Sequence, residues 1–99
     1  MLFHITFEVH DNVVLDGDKR FREMFGPRLQ MIMESGKVRE AGLLSSKRGA
    51  FFLVDIDEPV DLYELFGPEV YGSCAVDAQP VTPMETAGQL FQQWAEEGR

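Results

Sequence analysis

Apolar and polar residues alternate without a break at the start of the chain. Phe3, Ile5, Phe7 and Val9 fall on one side, and Leu2, His4, Thr6 and Glu8 on the other, which predicts a strand over 3–9 with one apolar face. Asp11-Asn12 and the Asp16-Gly17-Asp18 cluster break the pattern and predict a loop. The period then lengthens: Phe21, Met24, Phe25, Leu29, Ile32 and Met33 recur at helical spacing and stop at Gly36, a residue suited to the left-handed position that closes a helix. Gly26-Pro27 interrupts this run, because proline has no amide to donate and disfavours the helical conformation just before it. A kink or two short helices are expected there.

Two further strand-like segments, 38–44 and 50–56, flank the polar connection Ser45-Ser46-Lys47-Arg48-Gly49 and predict an antiparallel hairpin. Pro59 suits a first helical position, and the stripe Leu62, Leu65 and Phe66 predicts a short helix that Gly67-Pro68 ends. A modest fourth strand is expected over 71–79, before Pro80. Thr82-Pro83-Met84-Glu85 reads as a capping box, with Thr82 at the N-cap and Glu85 reaching back from the third helical position. The helix that follows carries Met84, Ala87, Leu90, Phe91 and Trp94 on one side and glutamates and glutamines on the other. The resulting order is β-α-β, β-α-β and a final helix. It is the split βαβ pattern of a ferredoxin-like α+β fold with an extra C-terminal helix.

The third strand departs from simple alternation. Ala50-Phe51-Phe52-Leu53-Val54 is apolar throughout, so placing Phe52 and Val54 beneath the helices leaves Phe51 and Leu53 on the opposite face. Leaving both in water would forgo several kcal/mol of burial at roughly 25 cal/mol per Å². Two coverings are open: the C-terminal helix folding back over that face, or a second copy of the chain. The size of the chain favours association, since 99 residues without a disulfide or metal bury a small fraction of their surface.

Composition narrows the function. Seventeen acidic residues against nine Lys and Arg leave a net charge of -8, which repels a nucleic-acid backbone unless the bases gather in one patch. Lys19, Arg20, Arg22 and Arg28 instead share one helix with Asp18 and Glu23, and Lys47 and Arg48 sit in a turn. Both sets read as solvated surface. The lone Cys74 allows no intrachain disulfide, and the N-terminus does not resemble a signal peptide. No apolar run approaches the ~20 residues that span a bilayer, so the expectation is a soluble cytoplasmic protein of one domain without nucleic-acid or membrane partners.

The candidate chemistry lies in the polar stripe of the first strand. His4, Thr6 and Glu8 project from one face at two-residue intervals, about 7 Å apart, so a small polar ligand can bridge them. Histidine is the residue type whose ordinary pKa lies near neutrality. His4 is therefore the candidate proton carrier, with Glu8 or Asp55 setting its charge state. In the competing reading His4 only hydrogen-bonds across an interface and Glu8 is solvated at its rim. His10 reads as surface, and His4, His10 and Glu8 do not converge on one ion as a metal site requires. Cys74 reads as a small apolar residue rather than a nucleophile. Tyr63 and Tyr71 flank the Gly67-Pro68 break, where they either close a cavity mouth or simply pack. Met24, Met31, Met33 and Phe25 read as core or interface.

Several segments resemble the dimeric α/β barrel proteins, especially muconolactone isomerase and the YciI-like proteins. Met1-Leu2-Phe3-His4 is similar to the start of the former, and the stretch from Glu34 to Gly42, Glu-Ser-Gly-Lys-Val-Arg-Glu-Ala-Gly, to the second-strand region of the latter. Gly49-Ala50-Phe51-Phe52-Leu53-Val54-Asp55 followed by Glu58-Pro59 is similar to both. The resemblance implies a homodimer or higher homo-oligomer in which two sheets face each other across a cavity. Its lining would include Thr6, Glu8, Phe51, Leu53 and Asp55 as ligand-binding residues, with His4 as the catalytic candidate. In the YciI-like proteins a first-strand histidine is paired with an aspartate before a proline; His4 matches the first, but Gly67 precedes Pro68. Two function classes follow. One is a cofactor-independent isomerase or proton-transfer enzyme on a small organic acid or lactone, and the other a non-catalytic ligand-binding or assembly module. No heme or quinone ligand set is identifiable, and no cofactor is expected.

Overall fold

The alternation at the start of the chain becomes β1 (Leu2–Val9) in the computed structural model, which describes residues 1–10 and 17–99. The loop expected at Asp11-Asn12 and Asp16 lies outside the described residues. Gly17 and Asp18, expected in that loop, begin a helix instead: α1 runs Gly17–Glu34. It continues through Pro27 as one helix, not two, at the cost of the one hydrogen bond that the missing amide would have donated. Gly36 follows at φ 76°, as expected of a residue closing the helix.

β2 (Val38–Leu43) and β3 (Gly49–Asp55) form the expected hairpin, and α2 (Asp61–Ser73), β4 (Cys74–Val81) and α3 (Met84–Glu96) complete the chain. The four strands make one antiparallel sheet in the order β2-β3-β1-β4, so the fold is α+β. β4 begins and ends later than expected, with Pro80 inside it. An edge strand tolerates a proline because one row of its amides has no ladder to join.

Core residues come from one face of the sheet and from α1 and α2. Phe3, Ile5, Phe7 and Val9 of β1 and Ala50, Phe52 and Val54 of β3 are buried with Phe25, Ile32, Leu62, Leu65, Phe66 and Val70. The arrangement has the one-sided alternation that a sheet with helices on one face requires.

α2 is broken where Gly67-Pro68 predicted its end, but the chain resumes helical form to Ser73. Gly67 lies at φ 70°, ψ 178° between the two parts, a conformation open mainly to glycine. The Arg28 guanidinium covers this break, with Nε donating to Glu69 Oε2 at 3.0 Å and Nη1 to the Glu64 carbonyl at 3.3 Å. Arg28 is thus not solvated surface: its side chain is 16% exposed and ties α1 to both halves of α2. Glu69 is held below the ordinary carboxylate range by its own backbone amide and then by Arg28. Gly67→Ala should lower stability by about 1–2 kcal/mol, because the flexible guanidinium can move but the positive φ remains strained. Urea denaturation measures this, and an unchanged midpoint would show that the break does not need glycine.

Two helix starts differ from expectation. The turn at Pro59-Val60 precedes α2, whose N-cap is Val60. Pro83, not Thr82, caps α3, and no side-chain capping bond forms. The capping box is therefore not made: a threonine one place too early meets a different set of amides.

Candidate functional site

The sheet face opposite the core carries His4, Thr6, Glu8, Phe51, Leu53 and Asp55, the candidates for catalysis and ligand binding. Register aligns them in rows across the strands, because directly paired residues share a face. His4 pairs with Leu53 on one side and Gln79 on the other, and Leu53 pairs in turn with Glu40. Next to this row, Thr6 lies between Phe51 and Asp77, and Leu2 lies between Asp55 and Val81. Glu8 sits at the far end between Gly49 and Ala75. Among the described residues no other layer lies over this open face: Leu2, Thr6, Phe51, Leu53 and Val81 are half-buried, and His4 is exposed.

A glycine shapes its centre. A Cβ on Gly42 would come within 2.6 Å of Phe51 Cε1, so the glycine leaves room for the ring to lie across β2. On its other side Phe51 stacks on the His4 imidazole, with centroids 5.8 Å apart and planes 18° apart. Stacking fixes the imidazole against an apolar plate while leaving both ring nitrogens open, since among the described residues no hydrogen bond engages them. An imidazole held in this way can donate or accept a proton at a ligand above the sheet.

The carboxylates do not assemble around it. Asp55 accepts from the N-terminal ammonium at 2.9 Å and from Arg39 at 3.2 Å, and Glu8 faces Lys47 at 3.7 Å. Asp55 lies below the ordinary carboxylate range, chiefly through the ammonium hydrogen bond and charge and then through Arg39. Neither carboxylate contacts His4, so within one chain neither sets its charge by direct pairing.

At the Leu2 end the face dips into a groove of about 500 Å³. Leu2, Leu53 and Val81 form its apolar floor, Arg39 and Asp55 one side, and Thr82-Pro83 the other. Such a groove suits the apolar body of a small molecule, with polar groups at the margin to orient it. Arg39 and Val81 were missing from the sequence-derived set. Val81 lies beyond the strand expected over 71–79, because β4 runs on through Pro80. Arg39 had no usable signal, since the pairing shifts between Val38 and Glu40 and the two-residue alternation fails there.

The remaining candidates lie elsewhere. Tyr63 and Tyr71 stack on each other across the α2 break at 4.5 Å, away from the open face. His10 is exposed at the end of β1, its amide donating to the Ser73 carbonyl. Phe25 is core, whereas Met31 and Met33 are exposed and the Met24 side chain lies outside the described residues. Among the described residues no three His, Cys, Asp or Glu side chains gather as metal ligands would, and no helix is long and apolar enough to cross a membrane.

Cys74 is buried at the α2–β4 junction, and burial pushes its thiol up to about 11 despite the opposing charge of Arg48. A raised acid pKa means the unfolded chain loses this proton first. Stability should therefore fall as pH rises from the ordinary thiol value of 9.0 toward about 11, and Cys74→Ser should remove the thiol's share of that fall, leaving the share of Tyr71, whose phenol burial also pushes up. The same burial predicts slow labelling by a thiol reagent at pH 8 until the chain is unfolded. Fast labelling of the native protein would contradict it.

No protein-family model matches this chain, and the curated proteins contain no match to its sequence. What the open face does rests on its own residues: an apolar floor, a histidine clamped by an aromatic ring, and carboxylates already paired at the margin.

Proposed function

We propose that this chain is a small-molecule-binding protein of ferredoxin-like type. Two copies pair open face to open face as a dimeric α/β barrel and enclose the ligand between their sheets. The strand order β2-β3-β1-β4 and the uncovered apolar residues of the open face support the pairing. His4 is the proton carrier for isomerisation or proton transfer on a small organic acid or lactone, with Phe51 and Leu53 against the carbon skeleton. Thr6, Glu8 and Asp55 are polar contacts around it, and the protein works in the cytoplasm.

The stacking of His4 on Phe51 carries this reading. It orients a group that can both give and take a proton, and enclosure between two sheets would exclude water from it. A second reading, a non-catalytic binding or assembly module, is favoured by one observation: Glu8 and Asp55 are each paired to a cation and not to His4.

Incubation with a small unsaturated lactone carboxylate in D₂O, followed by proton NMR, tests both. Deuterium should enter the carbon next to the carbonyl, and His4→Ala should slow this by about a hundredfold or more. Exchange that survives His4→Ala overturns the catalytic role. Binding without exchange selects the second reading.

A further inference from the structure

We propose that α3 is an exchanged arm whose apolar stripe seats in the groove between α1 and β2 of a second copy of this chain. The inference rests on the pairing of open faces proposed above and adds the element that locks the pair.

α3 has no buried residue. Met84 is 81% exposed, Phe91 57% and Leu90 43%, while Ala87 and Trp94 are only half-covered. Phe91 and Trp94 contact each other at 5.5 Å, and among the described residues α3 packs on no other element beyond marginal contact. It stands away from the body. The radius of gyration is 16.8 Å and the longest extent 58 Å against 26 and 18 Å, whereas a compact chain of this length has a radius of gyration of about 13 Å. An isolated helix of 13 residues is marginal in water, so a strongly amphipathic one of this length needs a surface to pack on.

The chain presents a matching seat at the other edge of its sheet. Met31, Met33 and Leu43 are exposed at 58%, 55% and 73%, and Leu29, Met33, Ala41 and Leu43 line an apolar groove of about 210 Å³. Ala41 and Leu43 pair with Phe52 and Ala50, so this groove lies on the core side of β2. The chain's own arm is badly placed to fill it. Thr82-Pro83, from which α3 departs, lies with Leu2, Leu53 and Val81 along the open face at the β4 edge. The groove is on the other face and three strand spacings away, about 14 Å, with the sheet in between.

A partner removes that difficulty. When two open faces meet about a two-fold axis running along the strands, β4 of each copy lies over β2 of the other. Each arm then leaves beside the partner's β2 edge. The arm is about 20 Å long, enough to pass round that edge and set Leu90, Phe91 and Trp94 in the groove. An apolar stripe with two aromatic rings can bury on the order of 400 Å², its seat a similar area, and the two-fold repeats both. The total reaches the roughly 1,600 Å² of a standard specific interface.

Sedimentation of the whole chain and three variants, each at an exposed or half-exposed position, tests the arm. Wild type should be a dimer at micromolar concentration. Phe91→Ser in the arm and Leu43→Ser in the seat should each raise the dimer dissociation constant at least about tenfold, with circular dichroism showing intact secondary structure. Dimers of undiminished affinity in either variant overturn the exchanged arm while the open-face pairing stands. Leu53→Glu on the open face reports separately on that pairing: a dimer that survives it but is lost with Phe91→Ser overturns the pairing and, with it, the route that brings the arm to its groove. A wild-type chain that stays monomeric overturns both.

Discussion

Phe66→Ala should cost about 3–5 kcal/mol, close to the whole stability of a domain of this size, which is roughly 5–15 kcal/mol. Phe66 is fully buried on the first part of α2 and joins the helix layer to the sheet. Its ring meets Phe52 edge-on at 5.4 Å and Phe7 at 6.4 Å, while Phe7 and Phe52 stack on neighbouring strands at 5.8 Å. Truncation removes both edge contacts and leaves a void that backbone on three elements holds open. The loss should appear in urea denaturation as a lower midpoint with an unchanged slope, because the surface exposed on unfolding hardly changes. Phe91→Ala provides the contrast, since its ring is 57% exposed in the single chain and should shift monomer stability by no more than about 0.5 kcal/mol. Equal effects at the two positions would mean that the aromatic cluster does not bear the fold.

Gly49→Ala should be nearly as damaging, at about 3 kcal/mol, for a different reason. An added Cβ would run into the Phe7 carbonyl oxygen and lie 3.1 Å from Glu8 Cα, both backbone atoms. Neither side can yield easily. Gly49 pairs with Glu8 in the ladder, its amide donates to the Lys47 carbonyl at 3.0 Å, and its carbonyl accepts from the Leu44 amide at 3.0 Å. Relief would pull β3 away from β1 at the end nearest Glu8 and disturb the open face as well as the core. Gly72→Ala in α2 is the control: nothing lies within 4 Å of its added methyl, and alanine should stabilise the helix by up to about 1 kcal/mol. A harmless Gly49→Ala would show that the β2–β3 turn can relax without loosening the sheet.

The sequence was most legible where one local rule acted alone. Strict alternation in 3–9 identified both faces of β1, and the unbroken apolar run in 50–54 pointed correctly to Phe51 and Leu53 on the side away from the helices. Gly36 takes the left-handed position expected of it, and Gly67 takes a positive φ where Gly67-Pro68 was expected to end the helix, since few other residues tolerate that conformation. Where neighbouring elements compete, local reading faltered. Tyr71 to Ser73 have strand-like company but complete α2, because Val70 and its neighbours gain more by continuing the helix layer. Arg28 looked like one more surface base, yet its partners are 36 and 41 residues away and no local pattern announces them.

The candidate site divides in the same way. His4, Thr6, Glu8, Phe51, Leu53 and Asp55 could be placed on one face from strand periodicity, because side-chain direction in a strand is a local property of the pleat. The clamping of His4 by Phe51, the space that Gly42 leaves for that ring, and the diversion of Asp55 to Arg39 depend on register between strands distant in sequence. They were decided only when the sheet assembled. The same holds for α3. Its amphipathic stripe is written in residues 84–96, but that the stripe finds no cover among the described residues of its own body is a fact of tertiary structure: β4 delivers the helix to the open face and to the edge opposite the apolar groove between α1 and β2.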